Sequence, residues 1–332
     1  MGNTKRQHYV PRSYLKRFSF DGKCLHTFLI KKDYKELLSE DTLTKINKDI
    51  SLADVCVEKD FYTLKSHALK NGINPLDLEK TFFQDYAEPK LKEVIDDFDD
   101  IAKSFLRGGK EIEHINITFK QKFRLLQSAF IQYYRSPKFR KSFQGISNLI
   151  DFTYRLSRTK KELSIDEELD KFDVSYTHAN KTYANHYLFK AFLNKALNYS
   201  LLLRVSDNSN FYISDNPVVI HKLGAKGKEC LNVNFYVDEF SLFFPLTPYL
   251  ILELYNPTYF PESLSMNDTI SIVHSEYENQ VNKYQYINAE KFIFSYKNDF
   301  SLFLRPINNG KINHAEPRCD KLEYTEDCPT VP

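Results

Sequence analysis

The sequence predicts an α+β fold, with a helix-rich stretch at 75–200 packed on a mainly antiparallel sheet formed largely by 201–305. Three observations carry this. Apolar residues recur at steps of three and four over 91–105 and again over 119–133, the spacing of a helix stripe. Beyond residue 200 the pattern changes to short β-branched, aromatic and leucine-rich runs closed by turn formers. Helices precede strands instead of alternating with them, which argues against repeated βαβ units. With 332 residues the chain can bury a sizeable core, and 7–305 reads as one domain followed by a polar tail at 306–332.

The opening run from His8 through Tyr9, Val10 and Pro11 to Leu15 suits a helix that starts at Pro11, where the missing N–H is no loss. Tyr14, Leu15 and Phe18 then share a face. Strands are predicted at 24–30 and 61–64. Leu91, Val94, Ile95, Phe98, Ala102 and Phe105 form the apolar stripe of a helix ended by Gly108 and Gly109. Pro89 predicts a break near Glu88. A second helix carries Phe119, Phe123, Leu126, Phe130 and Tyr133 and stops near Pro137. An acidic segment at 162–173 leads into an aromatic helix around 183–199. Strands follow at 201–205, 211–213, 218–221, 242–244 and 250–255, then a helix near 275–288 and a strand at 292–296.

Net charge is +2, so a nucleic acid or other anion would have to meet a local patch. No run approaches about 18 apolar residues, which predicts no membrane span. The polar, basic start has no apolar segment behind it, and the five scattered cysteines include no CxxC pair. These features predict reduced thiols and a cytoplasmic protein.

No P-loop, GxSxG, HExxH or dinucleotide glycine fingerprint occurs, so chemistry has to be read from single placements. His8 precedes a helix start, whose positive end disfavours an added proton and leaves an imidazole fit to be a base or metal ligand. The structural alternative is a half-buried histidine bonded to a backbone carbonyl. Ser214, Asp215 and Asn216, followed by Pro217, interrupt an apolar strand pair, which can present a carboxylate to a cleft or simply close an Asx turn. Glu79 and Glu88 flank the Pro89 break. In an unbroken helix they would face opposite ways, so they converge only if the break reorients them. Arg135 ends a polar stripe of Gln121, Arg124, Ser128 and Gln132. From Tyr134 to Lys161 there are eight basic residues and one acid, Asp151, interleaved with aromatics that include Phe139 and Phe152. Such a segment, with Arg140 in it, suits a single-stranded nucleic acid or a nucleotide, or else a solvated face or a partner for 162–173. His178 and His186 are poorly spaced for one metal and are set aside.

These residues resemble the bacterial family catalogued as domain of unknown function 4238. The resemblance rests on His8-Tyr9-Val10-Pro11 with Tyr14, Leu15 and Phe18, on Phe61-Tyr62, and on a glutamate-bearing helical region with Glu79 and Glu88. It continues through Arg135-Ser136-Pro137, the string Ser214 to Val218, the turn Pro245 to Pro248, and Asn282. It covers about residues 7–300 and implies one domain built from distant parts, with no reaction attached. It also favours a common site over a set of unrelated turns.

The expectation that follows is a phosphodiester hydrolase, a nuclease of toxin or phage-defence type. His8, Asp215, Glu88 and Arg135 would be catalytic, and Tyr9, Arg12, Arg140, Ser214 and Asn216 would bind substrate. Asp215 and Glu79 would hold a divalent metal such as Mg or Mn. The alternative is a non-catalytic sensor of a nucleotide or protein using the same cluster. A third reading is a buried polar network that only locks the helices onto the sheet.

Overall fold

In the run Ser200–Ser206, Leu201, Leu203 and Val205 join the main apolar core while Leu202, Arg204 and Ser206 point to the opposite face, the two-residue period of a strand. The computed structural model describes residues 6–30, 47–63, 78–141, 193–223, 229–231 and 240–303, with Asn74 and Leu76. The strands are β1 (Arg6–His8), β2 (Cys24–Leu29), β3 (Asn47–Ser51), β4 (Val57–Lys59), β5 (Ile112–His114), β6 (Ser200–Ser206) and β7 (Ile213–Ser214). They continue with β8 (Val219–Leu223), β9 (Glu229–Leu231), β10 (Phe240–Thr247), β11 (Leu250–Tyr255), β12 (Thr269–Val273) and β13 (Phe292–Ser295). The helices are α1 (Arg12–Leu15), α2 (Glu88–Gly108), α3 (Phe119–Tyr134) and α4 (Ser275–Asn288).

A seven-stranded sheet runs β5-β12-β6-β11-β10-β8-β9. It is antiparallel except for β12 beside β6. A second sheet runs β3-β2-β13-β7, and β1 pairs with β4 alone. The α+β class is as predicted, though the first half also contributes strands, among them β2, β3 and β5. The main core sits between the inner face of the large sheet and the helices, where α2 packs on α1, α3 and β10. It draws on Tyr9, Leu15 and Phe18 as well as Leu252, Leu254 and Phe294. The stripe Leu91, Val94, Ile95, Phe98, Ala102 and Phe105 is buried as its spacing requires, and Gly109 closes α2 at φ 64°. A reciprocal capping box between Thr118 and Gln121 starts α3.

Three elements differ from the sequence reading. Residues 61–63 form a turn, and the strand in that region is β4, drawn earlier in the chain by pairing with β1. The stretch 211–223 is not one interrupted strand pair, because β7 belongs to the four-stranded sheet and β8 to the seven-stranded one. Asp215, Asn216 and Pro217 are therefore the crossing between two sheets. Finally, Leu78–Ala87 winds as a π-helix that runs into α2. The helix predicted at 183–199 falls within the described residues only from 193 onward, and the acidic segment, His178, His186 and the polar tail lie outside them.

Candidate functional site

The π segment is what brings the two glutamates together. Pro89, second in α2, has no N–H to offer the carbonyl of Asp85, and its ring crowds that carbonyl, so a regular α ladder cannot pass this point. A π turn closes i→i+5 bonds and winds less per residue, so the nine residues from Glu79 to Glu88 span about two turns instead of about two and a half. Both carboxylates then face Arg135, at the end of α3. Glu88 Oε1 accepts from Arg135 Nη2 at 2.7 Å, and Glu79 lies in the field of both Arg135 and Glu88.

Arg135 is 1% exposed. Its Nε donates to the Tyr62 hydroxyl at 3.1 Å, and that hydroxyl donates back to the Arg135 carbonyl at 3.1 Å. Its guanidinium carbon lies 4.3 Å from the centre of the Phe83 ring. Burial opposes its charge, but Tyr62, Glu88 and Glu79 together hold its pKa above the ordinary value. Glu79 is less well served. Burial, opposed by Arg135 and reinforced by Glu88, pushes its carboxyl up to about 7, and its buried Oε2 has no hydrogen-bond partner among the described residues. It thus keeps its proton to near neutral pH.

The opening segment is clamped by α3. Arg135 Nη2 donates to the His8 carbonyl, Gln132 Nε2 donates to the Tyr9 carbonyl at 3.1 Å, and the Tyr9 N–H donates to the Cys56 carbonyl at 2.9 Å. The half-buried His8 imidazole places Nε2 3.2 Å from the Leu52 carbonyl. A carbonyl only accepts, so Nε2 carries the proton and Nδ1 keeps its lone pair. Burial lowers the His8 pKa, and the charges of Arg12 and Arg135 lower it further. The exposed Arg12 thus lies within the electrostatic reach of the imidazole.

Asp215 belongs to a second network. Its Oδ1 and Oδ2 accept from the N–H groups of Glu290 and Lys291, both at 2.8 Å, yet complete burial pushes its carboxyl up to about 7. One face of α4 holds the rest of the crossing through amides three residues apart. Asn282 receives the Tyr212 N–H, Gln285 receives the N–H and hydroxyl of Ser214 and donates to the Pro217 carbonyl, and Asn288 donates to the Asn216 carbonyl. Asn216 Nδ2 donates to the Asn288 carbonyl at 3.2 Å, and its buried Oδ1 has no partner among the described residues. Among the described residues, the Tyr9 hydroxyl and Cys56 thiol, which share a hydrogen bond and feel the charge of Asp215, lie between it and the first network.

The residues singled out from the sequence therefore form two adjoining groups. Glu79, Glu88, Arg135, His8 and Arg12 make one; Ser214, Asp215 and Asn216 make the other, with Tyr9 between them. Arg140 donates to the Phe61 carbonyl and stacks 4.5 Å over the Phe61 ring. Of the basic-aromatic segment only 134–141 is described, and its cations are engaged internally, Lys138 with Asn288 and Lys141 with Glu290. Burial lowers the Lys138 amine to about 8. Among the described residues no group of three or more His, Cys, Asp or Glu side chains is placed to hold a metal ion, and of the two expected ligands only Glu79 keeps an unbonded oxygen. Tyr62, Gln132, Gln285 and Asn288 went unread as site-building residues, although amides at 282, 285 and 288 on one helix face are a visible signal.

Among the described residues no helix is long and apolar enough to cross a membrane. No curated protein and no solved structure gives a match to the chain. The family model described as "Protein of unknown function (DUF4238)" matches residues 6–299, a span that takes in both groups and the strands and helices that carry them. By that match the chain belongs to the DUF4238 family of proteins of unknown function.

Proposed function

We propose that the chain is a phosphodiester hydrolase, a nuclease of the kind toxins and phage-defence systems use, working by proton transfer around His8. One observation supports this above the others: a neutral imidazole and a proton-holding carboxyl are gathered against the same buried Arg135–Glu88 pair. His8 offers Nδ1 as a base. Glu79 offers an unbonded oxygen that holds a proton near pH 7. Arg12, exposed beside the imidazole, is the cation a phosphate would meet. Arg135 is too buried and too fully engaged to reach substrate, so its role is to position His8 and the glutamates.

The test is incubation of the full chain with single-stranded RNA and DNA oligonucleotides, with and without Mg. Wild type is expected to cut, and His8→Ala to lose about 100-fold or more with an unchanged circular dichroism spectrum. Full turnover in a folded His8→Ala protein removes the imidazole from the chemistry. A folded wild type that binds oligonucleotide and cuts none points to the second reading, a nucleotide or protein sensor. The Asp215–Asn216 network supports neither reading, because those side chains are committed to the fold's own backbone, as a lock between elements requires.

A further inference from the structure

We propose that the outer face of the β1–β4 ribbon, with Arg12 just beyond it, holds the backbone of a single-stranded nucleic acid, so that Arg6, Lys59 and Arg12 bracket His8 with cations. This rests on the nuclease reading above and goes on to the surface and the form of the substrate. Gln7, between Arg6 and His8, is wholly buried: its Oε1 accepts the Tyr62 N–H and its Nε2 donates to the Thr63 hydroxyl at 3.2 Å. Side chains alternate along a strand, so Arg6 and His8 share the opposite, outward face. Register adds their counterparts in β4, since Arg6 stands across from Lys59 and His8 across from Val57. Arg12 opens α1 four residues after His8 and lies within electrostatic reach of its imidazole.

All three cations are exposed. Lys59 and Arg12 form no ion pair and no side-chain hydrogen bond among the described residues. Arg6 Nη2 is shared between the Ala53 carbonyl at 2.9 Å and the exposed Asp54 carboxylate at 2.7 Å, a pair that solvent screens. The other acids nearby are engaged, Glu58 with Lys291 on the ribbon's opposite face, Glu88 with Arg135, and Asp60 with the Thr63 hydroxyl. The face is therefore left with positive charge, whereas the cations of 134–141, where an anion was expected, point their hydrogen bonds inward. The half-buried His8 has Nε2 committed to the Leu52 carbonyl, so a phosphate has to come down to the ribbon to meet Nδ1. A single strand can bend to do this, with its flanking phosphates on the cations to either side. Duplex DNA, stiff over about 150 base pairs, keeps its phosphates on a convex rod. Two residues of strand separate Arg6 from His8 by about 7 Å, comparable to the reach of one nucleotide of extended backbone. Contacts of this kind position the backbone and read no base, so binding depends on salt and hardly on sequence.

The experiment measures fluorescence anisotropy of a labelled single-stranded oligonucleotide and of its duplex between about 50 and 200 mM salt. The full chain carries His8→Ala for this assay so that the probe survives. The single strand should bind more tightly than the duplex. Arg12→Ala and Lys59→Ala should each lower the slope of log affinity against log salt by about 0.7, the share of one phosphate on a single strand. Lys103→Ala, which removes a cation paired with Asp99 on α2 at 2.6 Å, should leave the slope unchanged. Unchanged slopes in both ribbon variants, or a duplex bound as tightly as the single strand, overturn the inference; cutting by the chain with His8 intact then keeps the nuclease reading alive. A folded chain that neither binds nor cuts any oligonucleotide overturns both.

Discussion

Glu79→Gln should make this protein more stable, and only at the upper end of the pH range. Burial raises the Glu79 carboxyl from 4.5 to about 7, about 2.5 units, which converts to about 3 kcal/mol at most. The sign follows from the direction of the shift. A carboxyl whose folded pKa lies above its unfolded value binds protons more tightly in the native state. Its favourable contribution is fully present below pH 4.5 and is lost as pH rises through about 7. Glutamine keeps the shape, cannot ionise, and escapes that loss. Denaturant unfolding of both proteins at intervals from pH 4.5 to 8.5 isolates the effect, because other groups, Asp215 included, cancel in the difference. The two proteins should match near pH 4.5 and diverge until glutamine leads by about 2–3 kcal/mol at pH 8. A flat difference, or one that favours glutamate at high pH, would show that Arg135 neutralises Glu79 fully and that its proton is not held by the fold.

Three further outcomes follow from named contacts. Arg135→Met should destabilise by about 3–5 kcal/mol, with the loss deeper at pH 8 than at pH 5, because Glu79 and Glu88 lose their shared cation; a pH-independent loss would mean the pair is only packing. Gln285→Ala strands the Ser214 N–H and the Pro217 carbonyl and should cost about 2–5 kcal/mol, with hydrogen exchange at Ser214 speeding up ahead of global unfolding; unchanged protection there would put the hold on the crossing elsewhere. On the far face of the large sheet, Arg204 Nε sits 3.0 Å from the wholly buried Glu253, so Arg204→Met should cost about 3–5 kcal/mol while Arg204→Met with Glu253→Leu recovers most of it; additive losses would refute the pairing.

Much of this architecture was legible because it follows from periodicity. The stripe from Leu91 to Phe105 has one apolar face and one length compatible with a helix, and 275–288 and 250–255 fall where the pattern puts them. What could not be read depends on contacts between distant segments. Nothing local marks 57–59 as a strand in preference to 61–64, since β4 exists because β1 lies beside it. The crossing at Asp215 looked like one broken strand because two short apolar runs flank it, and only the partners β13 and β10 assign those runs to different sheets. Pro89 signalled a break without showing its form. The π winding relieves the clash at Pro89, and a periodicity count over ten residues cannot separate it from an α-helix.

The contrast between the two acidic centres bears on which of them works. Asp215 is buried, yet each oxygen meets a backbone N–H, and the amides of α4 secure the segment around it. A network of that kind locks one element to another. Glu79 sits in a π turn with an oxygen left unbonded, beside a glutamate that shares its only named cation. As scaffolding this is poor, since a leucine or glutamine there would remove the cost of a buried carboxyl. The proposed role in proton transfer would account for a carboxyl held at such a cost. The proposed chemistry is therefore to be sought on the His8 side of the opening segment, whereas the Ser214–Asn216 crossing is tied to α4 and to the backbone of Glu290 and Lys291.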